Sequence, residues 1–448
     1  MMSFNNLPEE LVLEIVNCIM SKYERRNQSR QRARALAQLT LVTRQLYRIA
    51  TPHMYSYLRL SVAEGAHWIT KLHDTLSTNP SLRDHVQEVD IIIREYDSEE
   101  RRHTIRDQLG MVQRIASWFP SAKRIVFMDL YCKFPDEILH IIQNVARNAD
   151  NLSSFEIDAP RPDFAMNNVL PTMLNFKNLQ SLSLLGLFQS FTSPDAFVQN
   201  LKPGTGPITS LRIEGWGLSP QMLSGLIQWP RQLQHFRYEG RMSSISPEEV
   251  GEMLSVHRTT LETLKMVDIS SSIDPEAHMI NVSDFPALRG LCLSRWSFNR
   301  AGLAFSPAVG HKLVAPQLTD FGWQFGHAAR QEDDLKDLQE DEIAWIRGLA
   351  DFASDHQAKL NRVLVRFRPE LWGLEILTPW ALLRETSAYL EKRGIELVYD
   401  EPMYIIDPTP IQKGSIDKDL NIPWEAVRRS YLTRPFPGSA QRGRILPW

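Results

Sequence analysis

The 448-residue chain is poor in several features that would announce a chemistry. Its three cysteines, Cys18, Cys132 and Cys292, lie far apart, which excludes a disulfide framework and the paired spacing of a zinc site. No apolar run approaches the roughly 18–20 residues of a membrane span, so none is expected. The formal net charge of −3 removes any bulk drive toward nucleic acid or an acidic membrane. HExxH, GxSxG, P-loop and CxxC patterns are all missing. Gly215-Trp216-Gly217 lacks the third glycine of a dinucleotide loop, and His235, His257 and His311 stand alone. These absences point away from an enzyme and imply no catalytic residue, no metal and no cofactor. The first residues show no basic segment leading into an apolar stretch, so no secretory leader is expected. Asn27, Asn151 and Asn281 head Asn-x-Ser sequons that would then stay unmodified, in a reducing cytoplasm or nucleus.

What is present is a repeat. Hydrophobic residues make up 43% and charged residues 23%, enough for a sizeable core. A Leu-x-x-Leu-x-Leu pattern, with other apolar residues allowed, starts at Val86, Ala122, Leu152, Leu179, Ile208, Leu233, Leu261, Leu288, Leu318 and Leu360, with a weaker copy over Ile395-Glu396-Leu397-Val398. Most copies begin roughly 25–30 residues apart, at or just above the leucine-rich-repeat period. Each alternation predicts a short strand that cannot fold alone and needs a parallel neighbour on either side. Amphipathic helices are predicted in between, opening at Pro135, Pro220 and Pro247, with longer ones over Asp341–His356 and Trp380–Lys392. The expected fold is α/β: a parallel inner sheet with outer helices, wound as a solenoid. Gln331–Glu342 is strongly acidic and predicts a solvated loop entering a helix. Beyond residue 400 the chain turns rich in Pro and Arg and predicts an extended tail, which Trp424, Tyr431, Phe436 and Trp448 could pin.

Alternation assigns the polar residues between core positions to the other face of the sheet. Arg212 and Glu214, then Arg237 and Glu239, then Lys265 fall there on three successive strands. At a strand spacing of about 4.8 Å, Arg212, Arg237 and Lys265 form a basic row, partly neutralised by the two glutamates. Trp216 and Trp296 sit at strand ends, where an aromatic can anchor a partner. Asp90, Glu156 and Asp158 predict a more acidic N-terminal end. The set Arg212, Glu214, Trp216, Arg237, Glu239, Lys265 and Trp296 is the candidate surface for a protein substrate.

Ahead of the repeats, Leu7-Pro8-Glu9-Glu10 reads as a helix start, with Pro in the first turn and early acids suited to the helix dipole. Leu11, Ile15, Cys18 and Ile19 form an apolar stripe at helical spacing, and Leu36, Leu39, Val42, Leu46 and Ile49 continue the period. Three helices within about 50 residues bury too little to be comfortable alone. At Leu7-Pro8, at Glu10–Ile15 and at Leu39–Leu46, followed by Ala50-Thr51-Pro52-His53-Met54-Tyr55, the segment resembles an F-box of the fungal type. With the repeats behind it, the chain resembles F-box proteins with irregular leucine-rich repeats. It departs from them in lacking the asparagine that usually follows the strand, and in a long basic connection over Met20–Arg34.

The resemblance implies three segments: an F-box-like helical domain over 1–60, a leucine-rich-repeat-like domain over 61–400 and the tail over 401–448. It implies the substrate-recognition subunit of a Skp–cullin–F-box ubiquitin ligase. Leu7, Pro8, Leu11, Ile15, Leu39, Val42 and Leu46 would meet or support a Skp-type adaptor, and through it a cullin. The alternative is a non-catalytic repeat scaffold acting outside any ligase. Nucleic-acid contact through Lys22–Arg34 is disfavoured by the near-neutral charge and the lack of interleaved aromatics.

Overall fold

A computed structural model of the chain describes residues 7–22, 29–62, 66–93, 102–128, 130, 134–159, 171–173, 176–188, 201–216, 218–241, 245–267, 279–298, 303–325, 338–367 and 378–399. Its centre is a twelve-stranded sheet in strict chain order, every neighbouring pair parallel. The strands are β1 (Tyr57–Val62), β2 (Glu88–Ile93), β3 (Arg124–Met128), β4 (Ser154–Asp158), β5 (Ser181–Phe188), β6 (Ser210–Trp216), β7 (His235–Arg241), β8 (Thr263–Val267), β9 (Gly290–Ser294), β10 (Asp320–Gln324), β11 (Arg362–Arg366) and β12 (Glu396–Tyr399). The helices are α1 (Glu9–Lys22), α2 (Ser29–Thr40), α3 (Arg44–Tyr55), α4 (Ala66–Thr78), α5 (Arg102–Ala116), α6 (Pro135–Asn148), α7 (Pro220–Gln228), α8 (Pro247–Leu254), α9 (Pro307–Leu313), α10 (Glu340–Asp355) and α11 (Thr378–Glu391). From β1 onward the architecture is repeat-like and solenoid-compatible.

The three apolar positions of each repeat unit become the core. The leading residue, such as Leu179, Ile208 or Leu233, is buried just before its strand. The next forms an in-register ladder running Leu58, Val89, Ile125, Phe155, Leu182, Leu211, Phe236, Leu264, Leu291, Phe321, Val363 and Leu397. The last forms a second ladder from Leu60 through Tyr238 to Val365, and one continuous cluster spans Leu58 to Leu397. Burying each such side chain contributes about 1.5–3 kcal/mol, which a lone strand could not collect. One extra residue interrupts β5 between Leu184 and Leu187; Gly186, at φ 72°, takes the left-handed conformation there.

Serine starts several of the connecting helices. Ser219, Ser246 and Ser306 each accept a hydrogen bond from a backbone N–H of the first turn, at 3.2, 3.2 and 3.3 Å, and each precedes a proline that needs no partner there. Glu249 closes a full capping box on Ser246.

Three expectations change. Residues 57–60 fall within the stretch grouped with the opening helices, yet they begin strand Tyr57–Val62, which pairs with β2 as the first strand, so the helical block ends before residue 57. The weak last copy is offset: Leu397 and Tyr399 join the inward ladders, and Val398 faces the other way and is exposed. The long connection over Met20–Arg34 contracts, because α1 runs to Lys22 and α2 begins at Ser29. The Arg-, Gln- and Ala-rich run from Ser29 is made of good helix formers, and propensity prevails over its polarity. The tail beyond 400, Cys132 and residues 331–337 of the acidic stretch lie outside the described residues.

Candidate functional site

The opening helices own a small core apart from that of the sheet. Val12, Val16, Leu36, Leu46, Ile49 and Ala50 are buried together, with Leu7, Ile19, Met20, Leu39 and Met54 packed around them. Thr43 caps α3, accepting from Leu46 N–H at 3.1 Å. Gln45 donates to the Leu7 carbonyl at 3.3 Å and Arg48 pairs with Glu9 at 2.5 Å, joining the start of α1 to the first turns of α3. The apolar stripe of α1 read from sequence therefore faces largely outward: Val12 and Val16 are the core residues, and Leu11 and Cys18 are exposed. The candidate adaptor-binding residues divide in the same way. Leu46, at 1% exposure, is core and cannot itself meet a second chain. Leu7, Ile15 and Leu39 are half-buried, and Pro8, Leu11 and Val42 are exposed. Sequence reasoning missed Leu13, Leu41 and Tyr47, which are also exposed, Leu41 at 86%. Because Leu7 and Glu9 are tied to Gln45 and Arg48, the start of α1, the Leu41-Val42 turn and Tyr47 gather at one end of the trio.

The second surface is the sheet face that carries no core ladder. Here the register places Arg212, Arg237 and Lys265 side by side on β6, β7 and β8, and Glu214 opposite Glu239. The basic row is real but tightly bridged at one end. Arg237 Nε donates to Glu239 Oε1 at 2.8 Å, and Arg212 lies 3.8 Å from the same oxygen and 3.9 Å from Glu214. Burial, then the neighbouring charge of Arg237, pushes the Arg212 guanidinium below its ordinary value. Lys265 continues the row without such a bridge. Its side chain is 7% exposed, and burial holds its ammonium below the usual lysine value. Beside it, burial pushes the Cys292 thiol up, so the sulfur stays protonated. Trp216 ends β6 and Trp296 follows β9 in a 3₁₀ turn; their side chains lie outside the described residues.

The N-terminal end of this face is less acidic than expected. Arg124 lies 3.0 Å from Glu156 and 3.6 Å from Glu88, and Tyr57 donates to Asp90 at 2.5 Å. Arg59 stands in register next to Asp90. The acids were visible in the sequence; the cations facing them come from other strands and were not.

His257 is a satisfied core residue: its ring nitrogens meet the Ile227 carbonyl at 2.7 Å and Leu233 N–H at 3.5 Å. Among the described residues no group of three or more His, Cys, Asp and Glu could hold a metal ion, and no helix is long and apolar enough to cross a membrane. No known protein family matches the chain, and no curated protein matches it. Fold and surfaces together define a repeat-like α/β protein with a parallel sheet, bearing a helical trio with its own core.

Proposed function

We propose that the chain is the client-binding subunit of a Skp–cullin–F-box ubiquitin ligase, of the class built on leucine-rich repeats. The trio α1–α3 docks on a Skp-type adaptor, and the polar face of the sheet holds a protein client. The observation that carries this reading is the exposed apolar set Leu11, Leu13, Leu41, Val42 and Tyr47, displayed on helices that already have a separate core beneath. Large aliphatic side chains left in water on an internally satisfied unit mark a surface that a second chain covers. The work done is proximity: holding the client beside the transferred ubiquitin raises its effective concentration, with no catalytic group in this chain. The working compartment is the cytoplasm or nucleus, where such a ligase acts.

The test is capture of a purified Skp-type adaptor by the full chain. Leu41→Asp with Val42→Asp is expected to weaken capture at least tenfold while the melting temperature stays within a degree or two, because neither side chain supports the core. Undiminished capture would overturn the adaptor reading. Co-purification then separates the alternatives: adaptor together with cullin supports the ligase, adaptor without cullin favours a scaffold outside it, and neither favours a plain repeat binder.

A further inference from the structure

Two histidines that stand apart in the sequence meet on the connecting helices. His311 lies in the last turn of α9 and His356 caps the end of α10; both are exposed, and their ring centroids are 5.3 Å apart. Phe352 holds them there. His356 stacks on the Phe352 ring, with centroids 3.9 Å apart and planes 22° from parallel, and His311 meets the same ring at 4.9 Å and 90°. Gly310 permits this approach, because a Cβ there would come within 2.7 Å of the Phe352 ring. Phe352 is itself buried, so the platform under both imidazoles is fixed.

The tautomer of His356 follows from its partner. Its Nδ1 lies 2.9 Å from the Phe352 carbonyl. A carbonyl only accepts, so Nδ1 carries the proton, and Nε2 of the neutral ring keeps its lone pair. A histidine that ligates a metal through one nitrogen is commonly fixed in this way through the other. Among the described residues His311 makes ring contacts alone, so its nitrogens meet solvent. Stacking on Phe352 would be served as well by a phenyl ring; two exposed imidazoles add lone pairs within reach of one another. Rings that share one ion at Zn–N distances of about 2.0–2.1 Å and a tetrahedral angle have centroids roughly 5.2 Å apart, and a square-planar angle brings them to roughly 4.5 Å. The observed 5.3 Å matches the tetrahedral case.

We infer that His311 and His356 form a two-imidazole site for a divalent transition-metal ion of tetrahedral preference, zinc. Among the described residues no third His, Cys, Asp or Glu joins them, so water fills the remaining positions. Bound there, the ion ties the last turn of α9 to the end of α10 and stabilises the folded chain over the unfolded one. The site lies on the connecting helices, outside the helical trio and the polar face of the sheet, and does not depend on the function proposed for them.

The test is titration calorimetry of the full chain, first freed of metal with a chelator, with zinc sulfate. Zinc binding is expected to weaken at least tenfold in His311→Gln and in His356→Gln, and to stay unchanged in His67→Gln, at an exposed position on α4. The melting temperature of the wild type is expected to rise with zinc and that of the two variants to stay put, a response that rings serving only to pack on Phe352 would not give. His356→Phe keeps the stack without the ligand, and it keeps the test valid should His356→Gln fold poorly. No binding by the wild type, or binding that both variants leave intact, overturns the site. Loss in one variant alone also overturns it, since a single surface imidazole then accounts for the binding. Cobalt in place of zinc reads the geometry: the intense visible absorption of a four-coordinate ion supports the pair, and the weak absorption of a six-coordinate ion overturns the tetrahedral assignment.

Discussion

His257 was one of three histidines that the sequence offered without context. It closes the 3₁₀ turn after α8 and lies 4% exposed beneath the repeat. Its Nε2 donates to the Ile227 carbonyl and its Nδ1 faces Leu233 N–H, so only the neutral ring satisfies both groups. Burial lowers its pKa from the ordinary 6.5, against the opposing effect of the bond to Ile227. The sign of the linkage follows. Between the lowered folded value and 6.5 the unfolded chain takes up a proton that the buried ring refuses, so stability is lost as pH falls below 6.5. Urea midpoints measured at about pH 7.5 and about pH 5.5 are expected to fall more for the wild type than for His257→Gln. His257→Ala leaves the carbonyl of Ile227 unpaired at every pH, at a cost of about 1–3 kcal/mol. Equal pH sensitivity of wild type and His257→Gln would assign the acid response to other groups.

At the level of elements, the sheet was largely readable because its signal is local. A buried residue leading each strand, then inward residues three and five positions on, recurs whatever the loops contain. β1 escaped notice because Tyr57–Val62 follows α3 with no glycine or proline between, so its alternation merges into the preceding helical period. In α1 two apolar stripes compete, Leu11–Ile15–Cys18 and Val12–Val16–Ile19, and only the partners on α2 and α3 decide which is buried. Contacts between distant segments were beyond reading, and the acidic stretch shows why. Glu342, read with a solvated run, is 5% exposed in α10. Its Oε1 accepts from Arg295 Nε and Nη2 at 2.9 and 2.8 Å, and its Oε2 accepts from Gln339 N–H at 2.9 Å. Arg295 also donates to the Phe298 carbonyl at 3.2 Å. The pair ties the turn after β9 to the start of α10, next to the contact between Trp323 and Trp345, whose centroids are 4.6 Å apart. Removing one partner leaves a buried charge uncompensated, so Arg295→Met is expected to cost about 3–5 kcal/mol. Arg295→Met with Glu342→Met should recover most of that in the urea midpoint, because the penalty is the orphaned charge rather than the lost bond. A double variant as unstable as the single would mean that the pair acts through geometry instead.

At the scale of the molecule, the described residues form two hydrophobic cores of unequal size. The large one runs unbroken from Leu58 to Leu397, so each repeat draws on its neighbours and the sheet behaves as one cooperative stack. The small one belongs to α1–α3 and contains only a few fully buried side chains. The two are joined at α3, whose Tyr55 packs against the large core, and through Arg32, whose guanidinium lies 5.0 Å from the Tyr57 ring centroid. α3 also packs against β1 and the 3₁₀ turn Pro80–His85, but loss of the trio removes no ladder residue. Leu36, fully buried at the centre of the small core, is therefore the residue whose loss should separate the two halves. Leu36→Ala is expected to cost about 2–5 kcal/mol, comparable with all the stability a unit of this size holds. Hydrogen exchange should then accelerate across α1–α3 while the amides of Leu211–Ile213 keep their protection. Adaptor capture should be lost in step with the helices. If instead exchange rises together in α1–α3 and in β6–β8, the cores form one folding unit, and a second chain docking on the trio would stabilise the polar face of the sheet as well.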